Sequence, residues 1–115
     1  MLEIQTKSQK DATIIEINGD VDLYSSPQVR KIILDQINRK VPVLLINLGG
    51  VTYMDSSGIA TLVEGLQLMN EYKGKMCIFN VHGVVHDVFE LSRLDKVFKI
   101  YNSESEALDA SDDKN

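Results

Sequence analysis

The chain has 115 residues, 43% of them hydrophobic and 25% charged, a balance that suits one folded domain and excludes wholesale disorder. Seventeen Asp plus Glu against twelve Lys plus Arg leave a formal net charge of -5. That sign argues against direct nucleic-acid binding, which needs cations to neutralise phosphates, and against an electrostatic membrane anchor.

Residues 2–6 alternate apolar and polar and predict a first strand. Residues 13–18 are rich in β-branched side chains, predict a second, and stop at Gly19; the polar residues 7–11 between them suit a hairpin connection. Ser26 is a favourable N-cap and Pro27 suits a first helical position. Val29, Ile33 and Ile37 follow at four-residue spacing, with Ile32 and Leu34 widening the stripe, and Val41-Pro42 ends the helix. Residues 43–48 are almost continuously apolar, the pattern of a central strand covered on both faces, and Gly49-Gly50 is expected to break it. After a loop over 51–55, a helix is predicted over 57–72, with Ile59, Leu62, Val63, Leu66 and Met69 as its buried stripe and Gly74 as its end. Residues 76–81 predict a buried strand, His82-Gly83 a turn, and 84–91 a short helix with Val85, Val88 and Phe89 on one face. Residues 97–101 predict a short strand, and the capping-box spacing of Ser103 and Glu106 opens a terminal helix through Ala110. The acidic residues 111–115 are expected to be a flexible tail, leaving a single domain over 1–110. Two strands followed by alternating helix and strand imply a mixed β-sheet with helices packed on it.

Cys77 is the sole cysteine, which rules out an internal disulfide and fits a reducing compartment. The first residues lack a basic region followed by a long apolar run, and the longest apolar run, 43–46, is far too short to span a bilayer. A cytoplasmic location with no membrane contact is the expectation.

Two segments carry the functional signal. In Tyr53-Met54-Asp55-Ser56-Ser57-Gly58, short polar side chains and a glycine sit between a buried strand and an amphipathic helix. Backbone N–H groups at a helix start lack intrahelical partners, and the helix dipole favours added negative charge there. A serine at this place is open to modification, and a phosphate on it is expected to find backbone donors with little refolding. Helix capping alone would also account for these residue types. The second segment, Gly19-Asp20-Val21-Asp22-Leu23-Tyr24-Ser25-Ser26-Pro27, joins a strand to a helix near the same end of the sheet, where ligand sites of α/β folds gather.

Together these segments resemble the anti-sigma factor antagonist family, which carries the STAS domain. The resemblance rests on Gly19-Asp20-Val21-Asp22, Asn47-Leu48, Tyr53 to Gly58, the strand entry from Gly74 to Val81, and Leu91 to Phe98, and spans residues 3 to 108. It implies an α/β fold, a mixed sheet of four to five strands with helices mainly on one face. It also implies partner switching. The unphosphorylated antagonist binds an anti-sigma factor that is also a serine kinase and so frees the sigma factor; phosphorylation of the motif serine breaks that complex, and a serine phosphatase restores it, the alternative being a STAS-type partner switch that controls a non-sigma output. The family's phosphorylated serine follows the aspartate and maps to Ser56, with Ser57 as the alternative because spacing does not separate adjacent hydroxyls. Asp22, Asp55, Ser57 and Gly58 then form the surroundings of the switch. Gly19, Asp20, Leu23, Tyr24, Ser25, Met54 and Ile59 are the expected partner-binding residues. No cofactor and no metal is required, and no oligomeric state is implied.

Other chemistries are carried less well by the residues. A serine hydrolase would pair Ser56 or Ser57 with His82 or His86, yet no Gly-x-Ser-x-Gly elbow is present. A phospho-aspartate receiver would use Asp55 with an acidic cluster after its first strand, whereas Asp20 and Asp22 follow the second. Gly49-Gly50 lacks the Lys-Ser/Thr sequel of a phosphate loop. Cys77, Met54 and Met69 are best read as core, although the two methionines could also face a partner. The protein is therefore expected not to be an enzyme.

Overall fold

The computed structural model describes residues 2–9 and 11–111. The elements are β1 (Glu3–Gln9), β2 (Ala12–Val21), α1 (Ser26–Asn38), β3 (Val43–Met54), α2 (Ser56–Glu71), β4 (Lys75–Phe79), α3 (Gly83–Leu91), a 3-10 turn (Leu94–Lys96), β5 (Lys99–Tyr101) and α4 (Glu104–Ser111). The five strands lie side by side in chain order. β1 is antiparallel to β2, and β2 to β5 run parallel to one another. This is the mixed sheet implied by the sequence.

The alternation of side chains along the central strands explains their nearly unbroken hydrophobicity. Ile15, Ile17, Leu44, Ile46, Leu48 and Ile78 point to the face covered by α1, α2 and α3, where they meet Val29, Ile33, Leu62, Met69, Val85 and Phe89. Ile14, Val43, Leu45, Cys77 and Phe79 point to the other face and pack under Ala107 and Leu108 of α4. Each fully buried aliphatic or aromatic side chain stabilises the fold by about 1.5–3 kcal/mol, so both layers are needed to hold so short a chain together. Cys77 belongs to this second layer, and burial pushes its thiol pKa up.

Several predicted boundaries move. β1 runs to Gln9, not Thr6, because its polar residues pair with β2 at the solvent edge. Gly49-Gly50 does not break β3, and the segment 51–55, expected to be a loop, is strand up to Met54. Pairing with β2 overrides the local preference of the glycines: Asn18 pairs with Gly50 and Gly19 with Val51 beyond a register shift. A Cβ on Gly50 would lie 1.7 Å from Asn18 Oδ1, so the glycine makes room for its cross-strand neighbour. The stop predicted at Gly74 is made by Lys73, which adopts the left-handed region (φ 65°). β4 ends at Phe79, and β5 begins at Lys99 because residues 94–96 form a 3-10 turn that brings Phe98 edge-on to Phe89, centroids 5.8 Å apart. Ser103 Oγ accepts from the Glu106 N–H (3.2 Å), as its capping-box spacing predicts. Ser111, expected in the tail, belongs to α4, and residues 112–115 lie outside the described residues.

Candidate functional site

β2 and β3 end together. Val21 pairs with Met54, and the Asp55 N–H continues the ladder to the Val21 carbonyl at 3.2 Å. The β2–α1 and β3–α2 connections therefore leave the same end of the sheet side by side. Asp20 and Thr52 tie the two strands further, Thr52 Oγ1 donating to Asp20 Oδ1 at 2.6 Å.

The β2–α1 connection is a short, heavily bonded turn. Asp22 Oδ1 accepts from the backbone N–H groups of Tyr24 (2.9 Å) and Ser25 (3.0 Å). Ser25 Oγ accepts from the Asp22 N–H (2.9 Å) and donates to the Asp20 carbonyl (2.8 Å). The Ser25 N–H, helped by the Ser25 hydroxyl and the Tyr24 N–H and opposed by partial desolvation, holds the Asp22 carboxyl below its ordinary range. Because Ser25 turns its hydroxyl back into this turn, it occupies the N-cap position of α1 without a capping side-chain bond. Ser26, predicted as the cap, is instead the first helical residue and is buried. Between the two bonded residues, Leu23 and Tyr24 are pushed outward, 66% and 91% exposed. Gly19 is the last flexible point before the turn, with a φ of 116° that side chains rarely tolerate, but it lies within β2 and not in the loop.

The β3–α2 connection is a tight N-cap. Asp55 is extended and its Oδ1 accepts from the N–H groups of Ser57 (2.9 Å) and Gly58 (3.4 Å). The helix thus starts at Ser56, one residue before the prediction, and Ser56 is exposed while Ser57 is half-buried. The arrangement corrects one expectation: the donors of Ser57 and Gly58 are already held by Asp55, so a phosphate on Ser56 would meet an occupied helix start and a neighbouring carboxylate. Gly58 is buried, and a Cβ there would fall 2.7 Å from Met54 Cγ and 2.8 Å from Val21 Cγ1. Its lack of a side chain lets the first turn of α2 rest on β2 and β3.

Not every residue expected at the partner surface is on it. Met54 is 2% exposed and fills the core beneath α2, because the strand alternation turns it inward. Ile59 is half-buried and packs against the same core, and Ser25 spends its hydroxyl within the turn. Tyr53, expected in a loop, stands at the end of β3 with 47% exposure opposite Asp20. Thr52 was missed for the same reason. A strand continuing through Gly49-Gly50 would have drawn attention to both.

His82 Nε2 lies 2.8 Å from the Gly49 carbonyl and His86 Nδ1 lies 3.6 Å from Asp87. Among the described residues, the one group of three His, Cys, Asp or Glu whose ligand atoms lie within 4.8 Å of one another is His86, Asp87 and Glu90, exposed on the outer side of α3. Asp20, Asp22 and Asp55 do not converge as a receiver's acidic cluster would; each serves different donors. No helix of the described residues is long and apolar enough to cross a membrane.

The STAS domain family matches residues 3–107, nearly the whole chain. The chain belongs to the STAS domain family. This STAS domain is 29% identical over 108 residues to an anti-sigma F factor antagonist of Paenibacillus polymyxa, covering 93% of this chain and 92% of the relative. Its fold matches the crystal structure of an anti-sigma factor antagonist from Mycobacterium paratuberculosis with a TM-score of 0.91 at 20% identity, over 98% of this chain and 96% of the other. It also matches the Bacillus cell-fate determinant SpoIIAA in its phosphorylated form, TM-score 0.75 at 22% identity, over 94% and 98% of the two chains.

Proposed function

We propose that this STAS domain is a phosphorylation-controlled anti-sigma factor antagonist acting in the cytoplasm without catalysis of its own. Unphosphorylated, it binds an anti-sigma factor that is also a serine kinase and so releases a sigma factor. Phosphorylation of Ser56 abolishes that binding, and a serine phosphatase restores it. The observation that carries the reading is the placement of Ser56: an exposed hydroxyl on the first residue of α2, at the sheet end where the neighbouring turn presents Leu23 and Tyr24 to solvent. The similarity to named anti-sigma factor antagonists supports the same reading.

The physics of the switch is electrostatic. A phosphoserine carries about -1.5 to -2 charges at pH 7 and would be added beside Asp55, on a surface that already holds Asp20 and Asp22. Two unit charges about 4 Å apart interact by about 4 kcal/mol at an effective dielectric of 20. Even about 2.7 kcal/mol of lost affinity weakens binding roughly a hundredfold. Inside the domain the positive end of α2 offsets part of the added charge, so the fold survives while a facing partner surface is repelled. Ser56 is preferred to Ser57 because it is the more exposed of the two and Ser57 is partly covered.

Phosphosite mapping on protein from its native cells, with Ser56→Ala and Ser57→Ala versions alongside, tests the assignment. Phosphate on Ser56 that disappears only in Ser56→Ala supports it. No phosphate under any growth condition would leave a constitutive binding module and return both serines to the helix start.

A further inference from the structure

The sheet has two edges, and they differ. β5 offers three residues, whereas β1 offers seven, Glu3–Gln9, and all but Ile4 are exposed. Natural edge strands are commonly protected by bulges, prolines or short length, because unpaired backbone groups template pairing with another chain. β1 has none of these. Its register with β2 is regular from Glu3 opposite Asn18 to Gln9 opposite Ala12, with no shift and no proline. Its remaining protection is charge, in Glu3 and Lys7.

Those two charges have opposite sign and lie four residues apart on one face of the strand, with Gln5 midway. We propose that β1 pairs antiparallel with β1 of a second copy of this chain about a two-fold axis at Gln5, making one continuous ten-stranded sheet from two five-stranded ones. In this register Glu3 of each copy stands opposite Lys7 of the other, Ile4 opposite Thr6, and Gln5 opposite Gln5, where paired Cβ atoms come within about 4.5–5.5 Å. The two neighbouring registers that keep equivalent faces together, centred on Ile4 or Thr6, place Glu3 opposite Gln5 or Gln9 and lose both charge pairs. The charges that look like edge protection therefore select one self-complementary pairing.

Lys7 is compatible with this role: its side chain is 60% exposed, and its contact with Glu104 at 3.3 Å leaves ammonium protons for a second carboxylate. The arrangement is isologous, so each interaction occurs twice. The buried area is small, and the dimer is a weak, exchanging one. Antiparallel pairing sends the two β2–α1 turns to opposite ends of the joined sheet, leaving both free to engage partners.

The test uses the full chain. Gln5→Cys treated with oxidised glutathione gives a disulfide-linked dimer, while Gln9→Cys does not, because in this register its two copies stand about 27 Å apart along the strand. Cys77 is buried and contributes little background. Sedimentation over a concentration series shows self-association weakened about tenfold by Glu3→Lys or by Lys7→Glu and restored to within about twofold in the double exchange. Thermal unfolding of each variant separates lost pairing from lost folding. A monomer at every concentration, equal cross-linking at positions 5 and 9, or a double exchange that fails to restore association in a folded protein overturns the proposal.

Discussion

Asp22 and Ser25 hold each other in both directions: the Asp22 carboxylate accepts from the Ser25 N–H, and the Ser25 hydroxyl accepts from the Asp22 N–H. Two residues that would each be an ordinary turn former thus close a small ring, and the two residues between them, Leu23 and Tyr24, have nowhere to go but outward. The turn presents apolar side chains in a fixed arrangement, which lowers the ordering cost a partner would otherwise meet. Asp22→Ala is expected to accelerate amide exchange of Tyr24 and Ser25 while the central strands keep their protection. The same bonds fix a pH dependence. The folded-state carboxyl lies below its ordinary value of 3.8, so its contribution is complete above that value and fades as pH falls through the lower folded one. NMR titration of the Tyr24 and Ser25 amides should show a midpoint below 3.8; a midpoint at or above it would show that the carboxylate does not hold the turn.

Tyr24, 91% exposed, contributes little to the fold, so Tyr24→Ala should leave the unfolding temperature nearly unchanged. Aromatic anchors dominate interfaces, and truncating one commonly costs about 2 kcal/mol or more, roughly thirtyfold in affinity. Calorimetric titration with the anti-sigma factor proposed as its partner checks this. Unchanged affinity would move the interface away from the turn.

Gly58→Ala tests the opposite balance. The added methyl would meet Met54 and Val21 side chains and lie 3.1 Å from the Val21 carbonyl. Overpacking of this kind costs about 1–3 kcal/mol, and thermal unfolding should register a drop of several degrees. No drop would mean that α2 can lift from the sheet without penalty.

These predictions rest on features of unequal visibility in the sequence. The two-faced strand at 43–48 was legible because its side chains are apolar at successive positions, and Asp55 and Gly58 because caps and close approaches demand particular residue types. The continuation of β3 through Gly49-Gly50 was not. It depends on Asn18, about thirty residues away, filling the space over Gly50, and local propensity carries no trace of that pairing. With that strand end read as a loop, Tyr53 had no place in the strand pairing, and Met54 stood both among the core residues and among the expected partner contacts, of which the structure keeps the core placement. The Asp22–Ser25 ring was hidden for a related reason: residue types mark a turn, but which hydroxyl caps the helix and which folds back is decided by geometry.

Ser56→Asp places a permanent negative charge on the first residue of α2. Acidic residues are favourable in the first helical turn by about 0.3–1 kcal/mol, and Asp55 alongside opposes the gain, so the unfolding temperature should shift little. Partner affinity should fall at least tenfold, less than with phosphate because the carboxylate carries one charge and less bulk. Ser56→Ala should bind as tightly as the unmodified protein. If both variants bind equally, charge at this position is not what the partner senses.

Asp55 has two separable duties in this scheme, and one substitution divides them. Its Oδ1 caps α2 through Ser57 and Gly58, and it places a negative charge one residue before Ser56 in the chain. Asp55→Ala removes both and should cost about 0.5–2 kcal/mol of stability. Asn caps about as well as Asp, so Asp55→Asn should keep the unfolding temperature while removing the charge. With the carboxylate gone, phosphoserine at position 56 loses its repelling neighbour and gains a side-chain amide donor. The phosphorylated Asp55→Asn protein should then be more stable relative to its unmodified form than phosphorylated wild type is relative to its own, a difference that thermal unfolding of the four species measures. An equal phosphorylation penalty in both backgrounds would show that Asp55 is only a cap, and that the charge felt by the partner comes from the phosphate alone.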